Sequence, residues 1–156
     1  MLTSSQLQAL KTDILSKVGT GGPLQAAYAA GNDQGIADWY NQPASPVTKV
    51  WKPSVSIAEL NSAIAWADMV GIPAARQTTY LAMTQAGSID MTDAQVRQGL
   101  VEIFGNGSTS VTGITNVGRR DATNLELLFS TGTTTKTSQV FGQLLTNQDV
   151  AQALRG

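Results

Sequence analysis

The sequence predicts an all-α protein: a single-domain bundle of about six to seven helices joined by extended loops, spanning residues 1–156. Three observations predict it: a capping pattern that recurs at helix starts, apolar residues spaced by three and four after each start, and glycines where those runs stop. The capping pattern occurs four times. It reads an apolar residue, a Ser or Thr, two free positions, an acid or amide, then an apolar residue. The copies are Leu2-Thr3 to Gln6-Leu7, Val55-Ser56 to Glu59-Leu60, Met91-Thr92 to Gln95-Val96 and Leu145-Thr146 to Asp149-Val150. In each, the hydroxyl accepts from an orphan N–H of the first turn and the side chain three residues on reaches back. The apolar pair clamps the chain as it enters the helix. The spacings between copies are irregular, so the pattern marks helix starts and is not an internal repeat.

The first helix is expected from about Thr3 to Val18, with Leu7, Leu10, Ile14 and Val18 on one face and Gly19 with Gly21-Gly22 ending it. A second starts near Pro23, carries Leu24, Ala27 and Tyr28 inward, and continues past Gly31-Asn32 to Ile36, Trp39 and Tyr40, as one kinked helix or two short ones. Three prolines make Asn41–Pro53 extended, anchored by Val47, Val50 and Trp51. The third helix runs from Ser56 to about Val70, burying Ile57, Leu60, Ile64 and Ala67. The fourth covers Pro73 to Ala86 with Tyr80, Leu81 and Met83. The fifth covers Thr92 to Phe104 and is closed by Gly105. The sixth is the longest, from Ser108 through Val111, Ile114, Val117, Leu125 and Leu128 to Phe129. Its Gly113 and Gly118 weaken it by about 1 kcal/mol each relative to Ala, and are explained if another helix approaches closely there. The polar, β-branched run STGTTTKTS reads as a loop or edge hairpin, Val140–Leu145 as a short strand, and Asn147–Leu154 as a final helix. A short β-hairpin near residues 130–145 is thus allowed for. The extended segment 42–55 and the Thr-rich loop 130–140 are candidate interaction arms.

The inventory of reactive side chains points away from an enzyme. The chain has no cysteine and no histidine, so thiolate chemistry, imidazole bases and the commonest metal ligands are missing. Ser16 and Lys17 are adjacent and do not face each other on a helix. Asp90 and Asp93 lack the ligand spacing and glycine of a calcium loop. Gly19–Gly22 lacks the lysine and spacing of a phosphate loop and follows a helix, where it reads as a stop. No cofactor, metal or catalytic residue is expected. The net charge of −1 argues against charge-driven binding to nucleic acid. Charged residues make up only 13% of the chain, which suits either a neutral polar surface or one covered by partner subunits. No apolar run has the roughly 18 residues of a membrane span, and the N-terminus lacks the basic start of a secretory signal. Three residues are singled out for a partner interface. Trp51 is an aromatic on an extended segment that can dock into a neighbour or anchor its own core. Arg119 and Arg120 are the densest positive charge, read either as a solvated face or as contacts to an acidic surface.

Four runs carry a resemblance: VWKPSVSIAELNSAIAW (Val50–Trp66), QVRQGLVEIFG (Gln95–Gly105), GRRDATNLELLFSTGT (Gly118–Thr133) and FGQLLTNQDVAQAL (Phe141–Leu154). They resemble segments of small virion proteins of tailed bacteriophages and prophages, of the head–tail connector or adaptor type found in the neck, and the resemblance spans residues 1 to 154 in order. The matching motifs are packing and capping patterns and bring no catalytic residues. The resemblance implies a helical subunit of a homo-oligomeric ring between portal and tail, in contact with the portal protein and with tail or neck proteins. It also implies non-specific proximity to packaged DNA, no membrane, and a location in the virion after assembly in the host cytoplasm. The alternatives are another virion protein (tail-completion, tail or minor capsid-associated) and a non-virion helical interaction module.

Overall fold

The computed structural model describes residues 1–132, 135–138 and 143–156. The protein is mostly helical and carries a small amount of strand. The chain groups into two compact units, one formed by Met1–Thr48 with Asp121–Gly156 and the other by Lys49–Arg120.

The first unit contains α1 (Ser4–Lys17), α2 (Gln25–Ala29), α3 (Asp33–Asn41), α9 (Asn124–Leu128), the strands β5 (Ser130–Thr131) and β6 (Thr135–Ser138), and α10 (Asn147–Arg155). Thr3 caps α1 and Thr146 caps α10, each with its partner three residues on, Gln6 and Asp149, in a complete capping box. Of the two readings of the second helix, the structure takes two short ones. Gly31 turns the chain at φ 62° and Asn32 then caps α3 by accepting from the Gly35 N–H at 2.9 Å. The core joins Leu10 and Ile14 of α1 to Ile36, Ala37 and Tyr40 of α3, Leu125 of α9 and Val150 and Ala153 of α10. These side chains are essentially shielded from water, and each large one contributes about 1.5–3 kcal/mol of burial. Asn41 ties α3 to the start of α10 by donating to the Leu145 carbonyl and accepting from its N–H, at 2.9 and 2.8 Å. β5 and β6 pair antiparallel with Ser130 opposite Ser138, which is the edge-hairpin reading of the Thr-rich run. Part of the strand expected at Val140–Leu145 lies outside the described residues, and Gln143–Leu145 are not in a strand.

The second unit contains β1 (Lys49–Trp51), β2 (Val55–Ser56), α4 (Ile57–Ser62), α5 (Trp66–Gly71), α6 (Ala74–Thr84), β3 (Ser88–Ile89), α7 (Ala94–Phe104), α8 (Thr109–Val117) and Arg119–Arg120 of β4 (Arg119–Asp121). β2 pairs antiparallel with β3, Val55 opposite Ile89, and β1 lies beside β4. The core gathers Val55, Leu60, Tyr80, Met91, Leu100, Ile103, Phe104 and Ile114. Tyr80 and Phe104 meet edge to face at 5.5 Å between ring centres.

Four expectations are corrected. The third helix is broken, α4 ending at Ser62 and α5 starting at Trp66, because the intervening backbone is bound by a residue far along the chain. The long sixth helix is also broken. Its apolar spacing continues, but Thr123 and Glu126 form a further capping box that starts α9, and residues 119–121 are a strand. Arg119 and Arg120 therefore sit on β4 and not on a helix. The start of α7 falls one residue later than expected. Asp93, and not Thr92, caps it by accepting from the Gln95 N–H at 2.7 Å, while Thr92 is held by Asp90. Val47, expected as an anchor, is 69% exposed, although Val50 beside it is fully buried. With both long helices divided, the described residues contain ten helices, against the six to seven expected.

Candidate functional site

The second unit carries an apolar groove of about 440 Å³ lined by α4, α5 and α6 and the turns between them. It is built from a break in the expected third helix. Ala63 ends α4, and the Ala65 N–H then donates to the Ser110 hydroxyl oxygen at 3.0 Å instead of continuing the helical ladder. Ser110 is fully buried in the first turn of α8, and its own N–H donates to the Asp68 carboxylate at 2.8 Å. Asp68 thus serves as a helix cap supplied from another element. Accepting the Ser110 N–H, and then the Ser110 hydroxyl, holds its pKa below the usual aspartate range. This double tie fixes α5 by its first turn, and Trp66, the first residue of α5, is left pointing outward.

The walls are apolar because their polar members are already bonded. The Tyr80 hydroxyl donates to Asn61 Oδ1 at 2.6 Å, and Gln77 Nε2 donates to the Ile72 carbonyl at 3.1 Å. Burial raises the Tyr80 phenol above its ordinary pKa. What faces solvent is Ile57, Ile64, Met69 and Leu81, with the Trp66 indole at the edge. Trp66 is 82% exposed and Leu81 63%. Val70 stands one turn beyond Trp66 on α5 and is also exposed, at 79%. Trp66, Val70 and Leu81 together leave apolar surface on the order of 400 Å² exposed, in the range of the largest patch on a soluble monomer, which is often functional. No groove-lining residue carries a charge. Neither Trp66 nor Leu81 is among the interface residues singled out from sequence. For Trp66 the missing signal was the helix break; Leu81 lies on α6, outside it.

The three residues singled out from sequence are not part of this groove. Trp51 sits on β1 and is half-buried. The Arg97 guanidinium stacks 4.7 Å from its ring centre while donating to the Met91 and Thr92 carbonyls at 2.6 and 2.9 Å. Burial lowers the Arg97 pKa, and the nearby charges of Asp93 and Asp90 oppose that shift. Trp51 and Arg97 line a second, more polar groove of about 370 Å³ with Leu100, Val111 and Ile114. Arg119 donates to Asn116 Oδ1 at 2.8 Å. Arg119 and Arg120 are successive on β4, so their side chains leave the strand in opposite directions.

In the first unit an acid, a phenol and an amine stand together. Tyr40 donates to Asp13 Oδ2 at 2.5 Å, Lys17 pairs with the other Asp13 oxygen, and the Lys17 ammonium lies 5.8 Å from the Trp39 ring centre. Burial, then the hydrogen bond to Asp13 and its charge, push the Tyr40 phenol far above its ordinary range. So perturbed a phenol stays protonated near neutral pH. The trio acts as a staple between α1 and α3.

Comparison with protein-family models, curated proteins and solved structures finds no match. Among the described residues no helix is long and apolar enough to cross a membrane.

The tie that shapes the groove has a measurable consequence. Ser110→Ala should cost about 1–3 kcal/mol, because the Ala65 N–H loses its acceptor in a partly buried place. Urea denaturation reads the loss. An unchanged midpoint would mean that water replaces the hydroxyl and that the break does not depend on it.

Proposed function

We propose that this chain is a structural subunit of a tailed bacteriophage particle, a head–tail connector or adaptor that forms a homo-oligomeric ring between portal and tail. The observation that carries the reading is the uncharged groove with Trp66 at its edge: a rigid apolar contact face on a chain with few charges. Large aromatic residues at a desolvated centre are the usual energetic anchors of protein interfaces. A neck subunit needs such faces, because it acts by holding neighbours and not by chemistry. The four runs that resemble connector-type virion proteins give the face its assignment to portal, tail or neck partners. The finer fold reading, a helical bundle completed by neighbouring subunits, belongs to the same proposal. The extended segment 42–55 and the Thr-rich loop 130–140 would serve it as arms. Mass spectrometry of purified particles from the phage that encodes the chain tests the proposal. The chain is expected among the particle proteins, and its absence would overturn the assignment.

A further inference from the structure

We infer that, in the free chain, the groove of the second unit is covered by the same face of a second copy, each copy placing its Trp66 indole into the other's groove. This rests on reading the groove as a protein contact, as above, and does not depend on membership of a particle. Three observations favour a second copy. The first is shape. A projecting indole and an open groove larger than one indole lie side by side on one surface, so a two-fold rotation brings each knob to the other's hole. The second is charge. A two-fold contact sets each charge near the axis against its own copy, and none of the lining residues is charged, so the face meets itself without like-charge repulsion. The third is area. A standard stable interface buries about 800 Å² on each partner, a little over half of it apolar, and an exposed patch on the order of 400 Å² supplies that apolar centre.

A two-fold pair closes on itself and does not build a ring. It is the state of the free chain, and it would have to open before the face could serve other contacts. Sedimentation equilibrium of the full chain over a range of concentrations tests the inference. The native sequence is expected to show a single monomer–dimer equilibrium. Trp66→Ser should weaken it by about a hundredfold or more, since each pair loses two anchors. Leu81→Ser should weaken it less, and Leu15→Ser, at an exposed apolar position in the other unit, should leave it unchanged. Trp66 and Leu81 are mostly exposed, so circular dichroism should find both variants folded. A chain that stays monomeric throughout, an open series of larger oligomers, or a dimer indifferent to Trp66→Ser would each overturn the inference. A monomeric free chain that is nevertheless found in particles would sink this inference and leave the proposed function standing. A Trp66-dependent dimer absent from particles would do the reverse.

Discussion

Gly113→Ala should destabilise the protein by about 2–3 kcal/mol, against the direction that helix propensity alone dictates. Gly113 is in the middle of α8, where replacing glycine by alanine ordinarily stabilises a helix by about 1 kcal/mol. Here the added methyl would collide with the Ala63 carbonyl oxygen at the end of α4, and would also crowd the Ala63 Cβ at 3.3 Å. The obstacle is backbone and cannot rotate away. Either α8 or the end of α4 must move, and the Ser110 tie one turn earlier in α8 resists that movement. Gly118 presents a milder case, because its nearest obstacle is the flexible end of Met91 at 2.7 Å. Gly71→Ala is the control. It lies at the end of α5 with nothing nearby and without a left-handed backbone, so its expected change is a gain of about 0.5 kcal/mol. Urea denaturation of the three variants checks the order. A stabilised Gly113→Ala would contradict the close approach of α8 to α4.

Tyr40→Phe should flatten the alkaline limb of the stability curve. Tyr40 is fully buried, and its hydroxyl donates to Asp13. Its folded pKa lies above the value of 10.0 expected when the chain is unfolded. The sign follows from linkage. Below pH 10 the phenol is protonated in both states and its contribution is intact. Above pH 10 the unfolded chain loses a proton that the folded chain keeps, so stability falls by about 1.4 kcal/mol per pH unit from this group. Tyr80, raised by burial, adds a limb of its own in both proteins. At neutral pH the phenylalanine variant should be about 1–3 kcal/mol less stable, because a hydrogen bond to a charged acceptor is lost while Lys17 still faces Asp13. Between pH 10 and 12 the two curves should converge. Tyr40→Ala, which also removes the ring from the core, should cost about 3–5 kcal/mol below pH 10, the difference shrinking above it by the same linkage. Curves that stay parallel through that range would show that Tyr40 titrates normally and that the staple is not formed.

Local signals were legible in the sequence and long-range ones were not. Thr3, Ser56 and Thr146 were readable as caps because a capping box is complete within four residues. Thr92 misled by one position, since the aspartate beside it reaches the first-turn N–H more directly. Thr123 and Glu126 were overlooked because apolar spacing from Val111 to Phe129 fits a helix on both sides of the break. The close approach at Gly113 was anticipated from the cost of a glycine in a helix, and its partner was not. The candidate site was the least legible part. Ile57 and Ile64 were expected to be buried, and both line the open groove. Trp66 faces outward because Ser110, 45 residues beyond Ala65, interrupts the helix that would have carried the indole, while Leu81 is exposed on the separate helix α6. Periodicity within a segment cannot carry that information. Trp51 was picked out for its place on an extended strand, and its ring is occupied by Arg97 within its own unit.

The proposed role is assembly in a phage neck. Counting copies in purified particles, by quantitative mass spectrometry against an internal standard, tests it most directly. A closed ring at the portal predicts a fixed number on the order of a dozen per particle. Hundreds of copies would assign the chain to the capsid or tail tube instead, and none would contradict the claim outright.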